Sequence, residues 1–87
     1  MKKEMIEIAI KSENMKRIKG IMTNYLEENA EMFSESDDYV FAIVNQGEPA
    51  VEVMRVLMQL RIEFEIGYCK VDDDGCVYYK GDKAYDD

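Results

Sequence analysis

Hydrophobic and polar positions change their period several times along the chain, and each change predicts a new element. From Met5 to Ile10 the residues alternate, with Ile6, Ile8 and Ile10 on one face and Glu7 on the other, the pattern of a half-buried strand. Ser12 suits the N-cap of a helix. At about 100° per residue, Met15, Ile18, Met22, Tyr25, Leu26, Met32 and Phe33 gather within about 120° of the wheel. That clustering predicts one amphipathic helix from about Glu13 to Glu35, ended by the stretch Ser34 to Asp38. Tyr39 to Val44 is apolar on both faces, as in a central strand, and Asn45 to Gly47 reads as a turn.

Pro49 fits the first turn of a second helix, where its missing N–H costs nothing, and the helical period continues to about Leu60. Glu52, Arg55 and Gln59 give this helix only a narrow polar arc. Its wide apolar surface makes Val51 and Met58 candidates for a homodimer face or partner contact. Ile62 to Ile66 alternates strictly and predicts a third strand that runs to Val71. Asp74 and Gly75 predict a two-residue hairpin loop, followed by a fourth strand from Cys76 to Lys80. Residues 1–81 therefore read as a single α+β domain and residues 82–87 as a mobile acidic tail. The order is βαβαββ, with two helices packed on a mixed four-stranded sheet and right-handed parallel crossovers. This order is similar to a thioredoxin or glutaredoxin core without its last helix, but no C-x-x-C follows the first strand, so the resemblance implies no redox function.

Composition narrows the chemistry. With 87 residues the chain builds one core, burying roughly 64% of its extended surface. It contains no His, which removes the commonest general base and metal ligand and argues for a non-enzymatic protein with no cofactor and no metal. Asp72, Asp73, Asp74 and Gly75 suggest a calcium loop, but an EF-hand register would place Lys70 first and Gly81 last, so the turn is simply acidic. A net charge of −8 argues against direct nucleic-acid binding. The run Tyr39 to Val44 is the longest apolar one, far short of the ~20 residues a membrane helix needs, so no membrane contact is expected. In the expected hairpin register Cys69 lies opposite Lys80, roughly 13 Å from Cys76, so the two read as free thiols in a reducing cytoplasm.

Charge placement carries the functional expectation. Residues 1 to 22 hold six bases and three acids, whereas residues 23 to 87 hold five bases and sixteen acids. If the first helix reaches Glu35, then Glu27, Glu28, Glu31 and Glu35 project as one carboxylate stripe. Glu27, Glu31 and Glu35 are then like-charge (i, i+4) neighbours, and acids late with bases early oppose the helix dipole. Such a costly arrangement without structural gain points to a functional surface. Counting Asp37 and Asp38, the six acids span about 18 Å if helical, or one charge per ~3 Å, close to the ~3.4 Å phosphate spacing of one DNA strand. Tyr39, Tyr78 and Tyr79 would serve as anchors beside them. In size and charge the chain resembles the small acidic inhibitors of mobile elements, among them nucleic-acid mimics such as anti-CRISPR and anti-restriction proteins. That resemblance implies a partner with a basic surface, in particular a nucleic-acid-binding protein. The alternative from another class is a dimeric regulatory domain that binds a small molecule beside the second helix.

Overall fold

The computed structural model describes residues 1–86. Strand β1 (Lys3–Lys11) leads through two short 3-10 turns, Ser12–Asn14 and Lys16–Ile18, into α1 (Lys19–Asn29). Strands β2 (Met32–Glu35) and β3 (Tyr39–Asn45) come next, then α2 (Glu48–Gln59), β4 (Glu65–Val71), β5 (Val77–Tyr79) and a helical turn α3 (Lys83–Asp86). The strands form one sheet in the order β2-β3-β1-β4-β5. Every pairing is antiparallel. The expected mixed four-stranded sheet with parallel crossovers is therefore corrected to a five-stranded antiparallel sheet. Each helix still joins two parallel strands, but β3 inserts between β1 and β2, and β1 between β3 and β4. Two interleaved split β-α-β units of this kind make the ferredoxin-like arrangement rather than a thioredoxin-like one. Topology alone carries no function.

The extra strand comes from the segment read as the end of the first helix. Helical hydrogen bonding stops at Asn29, whose side-chain Nδ2 donates to the Tyr25 carbonyl at 2.8 Å. Ala30 is then extended at φ −105° and ψ 149°. At the other end, Lys16 takes φ 38° and the chain makes 3-10 turns instead of α-helix. The α-helical part thus leaves out Lys16, Arg17, Glu31 and Glu35, although Lys19 in its first turn and Glu27 and Glu28 in its last still oppose the helix dipole. Met32 and Phe33 match the apolar arc of a helix, but they pair as strand residues with Ile43 and Ala42. Ser36 closes the hairpin, its N–H donating to the Tyr39 carbonyl at 2.8 Å and its hydroxyl oxygen accepting from the Tyr39 N–H at 3.2 Å.

The main core lies between the sheet and the two helices. Ile6, Ile8 and Ile10 face Val44, Ala42 and Val40 across β1 and β3, and all six are buried. Met22 and Leu26 of α1 and Ala50, Val53 and Leu57 of α2 close over them. On the opposite, helix-free face a smaller cluster of Met5, Ile43 and Cys69 is covered by Met32, Val71 and Val77. The helical layer is narrow. Ile66 and Tyr68 of β4, on the helix side, stay 46% and 47% exposed.

Helix α2 ends as its pattern predicts, although the residue that ends it is unusual. The Ile62 N–H donates to the Leu57 carbonyl at 2.9 Å and the Arg61 N–H to the Met58 carbonyl at 3.1 Å, the paired bonds of a Schellman motif. Arg61 occupies the left-handed position, with φ 56°, where glycine is usual. Replacing Arg61 by Gly relieves that strain while adding freedom to the unfolded chain, so the net gain expected is about 0.5–1 kcal/mol. A urea midpoint that stays put or falls in R61G would contradict this account of the helix end.

Candidate functional site

The residues singled out by sequence do not form one stripe. Glu27 and Glu28 sit in the last turn of α1 and are exposed. Glu31 lies between α1 and β2, where its carboxylate accepts from Asn45 Nδ2 at 3.0 Å. Glu35 ends β2 and pairs with Lys19 at 3.4 Å. Asp37 and Asp38 stand exposed in the β2–β3 turn. Asn45 and Tyr39 mark opposite ends of β3, about 20 Å apart at strand rise, so Glu31 and the two aspartates are well separated. The regular helical spacing of six acids is corrected accordingly, because α1 stops before Glu31.

The tyrosines part as well. Tyr78 pairs with Lys70 on the helix side of the sheet, whereas Tyr79 pairs with Cys69 on the helix-free side. Both are far from Tyr39 in sheet order, since β5 and β3 are separated by β1 and β4. The Tyr78 hydroxyl donates to Asp72 Oδ2 at 2.8 Å, and that bond chiefly pushes its pKa up to about 12. The Tyr79 hydroxyl donates to Glu7 Oε2 at 2.6 Å and is likewise pushed up to about 12, first by that bond and then by burial. Val51 and Met58 lie seven residues apart on α2, 48% and 63% exposed.

What converges instead is a set of acids around Tyr39. Its ring stacks on Phe41 with centroids 5.6 Å apart. Tyr39 lines two adjoining clefts, of about 500 and 370 Å³, at the end of the sheet where β1 stops and β3 and β4 start. Glu13, Glu63 and Glu65 line the first, Glu13, Asp37 and Asp38 the second, and Lys11 is the single base in both. Of these acids only Asp37 and Asp38 stand out in the sequence. Glu13, Glu63 and Glu65 come from separate segments, and no local spacing announces that they meet.

The cysteines are not bridged to each other. Cys69 is buried and Cys76 exposed, and burial, followed by the Glu7 charge, pushes the Cys69 thiol up to about 11. Among the described residues no three metal-ligating side chains come together. Among them, too, no helix is long and apolar enough to cross a membrane. No protein family, curated protein or solved structure matches the chain.

The β4–β5 hairpin that carries Tyr78 and Tyr79 depends on Asp72. Its Oδ1 accepts from the N–H groups of Asp74 and Cys76, both at 2.9 Å, while Oδ2 takes the Tyr78 hydroxyl. The turn is therefore built on an aspartate side chain rather than a two-residue loop, and the register slips by one. Cys69 lies opposite Tyr79, not Lys80. The bond from the Cys76 N–H, followed by that from Tyr78, holds the Asp72 pKa below the ordinary aspartate value. A lowered folded-state pKa contributes stability that is full above the unfolded value and drains away as pH falls through the folded one. The melting temperature of D72N should therefore lie below that of the natural chain near neutral pH, and the gap should narrow below about pH 4. A gap that is absent at neutral pH, or that widens in acid, would contradict this role for Asp72.

Proposed function

We propose that the chain is a non-enzymatic, acidic protein-interaction module that binds a basic protein surface, with Tyr39 as anchor. The observation that carries this reading is the junction of two clefts at Tyr39, ringed by Glu13, Asp37, Asp38, Glu63 and Glu65 against the one base Lys11. An amphipathic ring in a recess supplies contact area at low entropic cost, and the surrounding carboxylates steer an oppositely charged partner and reject acidic ones. Glu35, opposite Val40 and paired with Lys19, lies towards the same end of the sheet, whereas Glu27 and Glu28 stand at the far end of α1. The partner class favoured by that field is a nucleic-acid-binding protein, whose own groove is basic. Mimicry of a DNA strand by a ladder of helical charges is not part of the proposal, since the helix that would bear the ladder ends at Asn29.

The reading is tested with two variants of equal net charge. One reverses Asp37, Asp38 and Glu63 to Lys beside Tyr39, and the other reverses Asp73, Asp74 and Asp82 to Lys on the exposed surface of the β4–β5 turn and beyond. Long-range attraction falls alike in both, so a difference reports where the partner sits. Binding of a lysine- and arginine-rich peptide should weaken about tenfold more in the first variant, with the difference shrinking at high salt. Equal losses in the two variants would overturn the Tyr39 surface as the binding site.

A further inference from the structure

The helix-free face of the sheet holds a second recess of about 190 Å³ between its two edges. Met32 of β2 forms one wall and Val77 and Tyr79 of β5 the other, with Phe41, Ile43 and Glu7 along the floor. Among the described residues Glu7 is the only carboxylate lining it. That residue belongs to the central strand and lies opposite Ile43 on β3 and Gly67 on β4. Tyr79 stands opposite Cys69 on β4, and its phenol reaches past β4 to donate to Glu7 Oε2 at 2.6 Å. This bond holds the carboxylate through Oε2, and among the described residues no hydrogen bond engages Oε1. Among the described residues no ion pair involves Glu7. A held carboxylate in a recess that is apolar apart from Ser34 and the Tyr79 hydroxyl, with no base of its own, is complementary to a cation carried on an apolar stem.

Size and neighbouring charge narrow the occupant. A volume of 190 Å³ lies below the ~300 Å³ at which pockets for drug-sized ligands begin, so one side chain fits and a folded element does not. Lys3 and Lys11 share the face of β1 with Glu7, four residues away on either side, about 13 Å at strand rise. They repel a run of cations laid along the strand and leave room for a single positive charge at its middle. With Oε2 engaged by the phenol, one strong acceptor suits the point charge of an ammonium better than the two-pronged guanidinium. Met32, Ile43 and Val77 match the four-carbon stem that such an ammonium carries.

We propose that this recess receives one lysine side chain of the basic partner, its stem between Met32 and Val77 and its ammonium on Glu7. The inference rests on the basic-partner reading above, but its test does not need the Tyr39 surface. N-acetyl-lysine methylamide is titrated into the natural chain at about 0.5 M salt, where diffuse charge is screened, and the methyl resonances of Met32, Ile43 and Val77 are followed by NMR. The expected result is saturable shifts at these methyls, with the neutral norleucine and N-ε-acetyl-lysine analogues binding at least about tenfold more weakly and the arginine analogue more weakly than lysine. Glu7→Gln, which keeps the shape and an acceptor for Tyr79, should lose about tenfold. Shifts that follow stem length regardless of charge, or that appear elsewhere on the surface, would overturn the proposal from the natural chain alone. If lysine saturates this recess while the charge-matched variants bind peptide equally, the Tyr39 reading fails and the recess stands. The converse result removes the recess and leaves the Tyr39 surface.

Discussion

Continuing α1 past Asn29 would set Glu27, Glu31 and Glu35 one turn apart at the negative end of a helix, and the chain leaves the helix at Ala30. Each like-charge pair costs about 0.2–0.5 kcal/mol, whereas the dipole does not separate the two conformations, because Glu27 and Glu28 already occupy the last turn of α1. Sums of that size are small beside a core, but they are enough to decide between two conformations of a short segment whose apolar residues fit both. Met32 and Phe33 bury apolar surface in either state. As strand residues they also gain pairing with Ile43 and Ala42, and the released Glu31 accepts a bond from Asn45. Like-charge repulsion in the longer helix and strand pairing in the shorter one favour the same break, and β2 gives β3 a neighbour on its outer side.

Both candidate surfaces depend on that break. With β2 in place, β3 has partners on both edges, and its two apolar faces serve separate clusters, Val40, Ala42 and Val44 under the helices and Ile43 in the cluster that Met32 covers. The β2–β3 turn puts Asp37, Asp38 and Tyr39 at the end of the sheet, near Glu13 and Lys11. Met32 becomes a wall of the recess over Glu7 instead of part of a helix. A single change of conformation at Ala30 therefore positions part of both surfaces on which the functional proposals stand.

The elements legible in the sequence are those in which one period dominates. Ile6, Ile8 and Ile10 define β1, and Pro49 with the apolar positions up to Leu57 defines α2. Met32 and Phe33 are ambiguous because two adjacent apolar residues satisfy a helical arc as well as a strand edge. The like-charge spacing of Glu27, Glu31 and Glu35 weighs against the longer helix, but it does not mark Asn29 as the end, since Glu27 and Glu28 stay inside the last turn. The hairpin register escapes for a different reason: Asp74 and Gly75 form the strongest local turn signal, but the Asp72 carboxylate, with two backbone N–H groups to accept, overrides it. The acids around Tyr39 are only partly legible, because Glu13, Glu63 and Glu65 are brought together by the sheet and not by spacing.

The central claim, that residues after Asn29 form an edge strand and not a continued helix, is open to direct measurement by NMR in solution. Extended-type Cα chemical shifts from Met32 to Glu35, with cross-strand contacts between Met32 and Ile43 and between Ser34 and Phe41, are the result this account predicts. Helical shifts running unbroken from Lys19 to Glu35, with (i, i+3) contacts linking Glu28 to Glu31 and Met32 to Glu35, would contradict it.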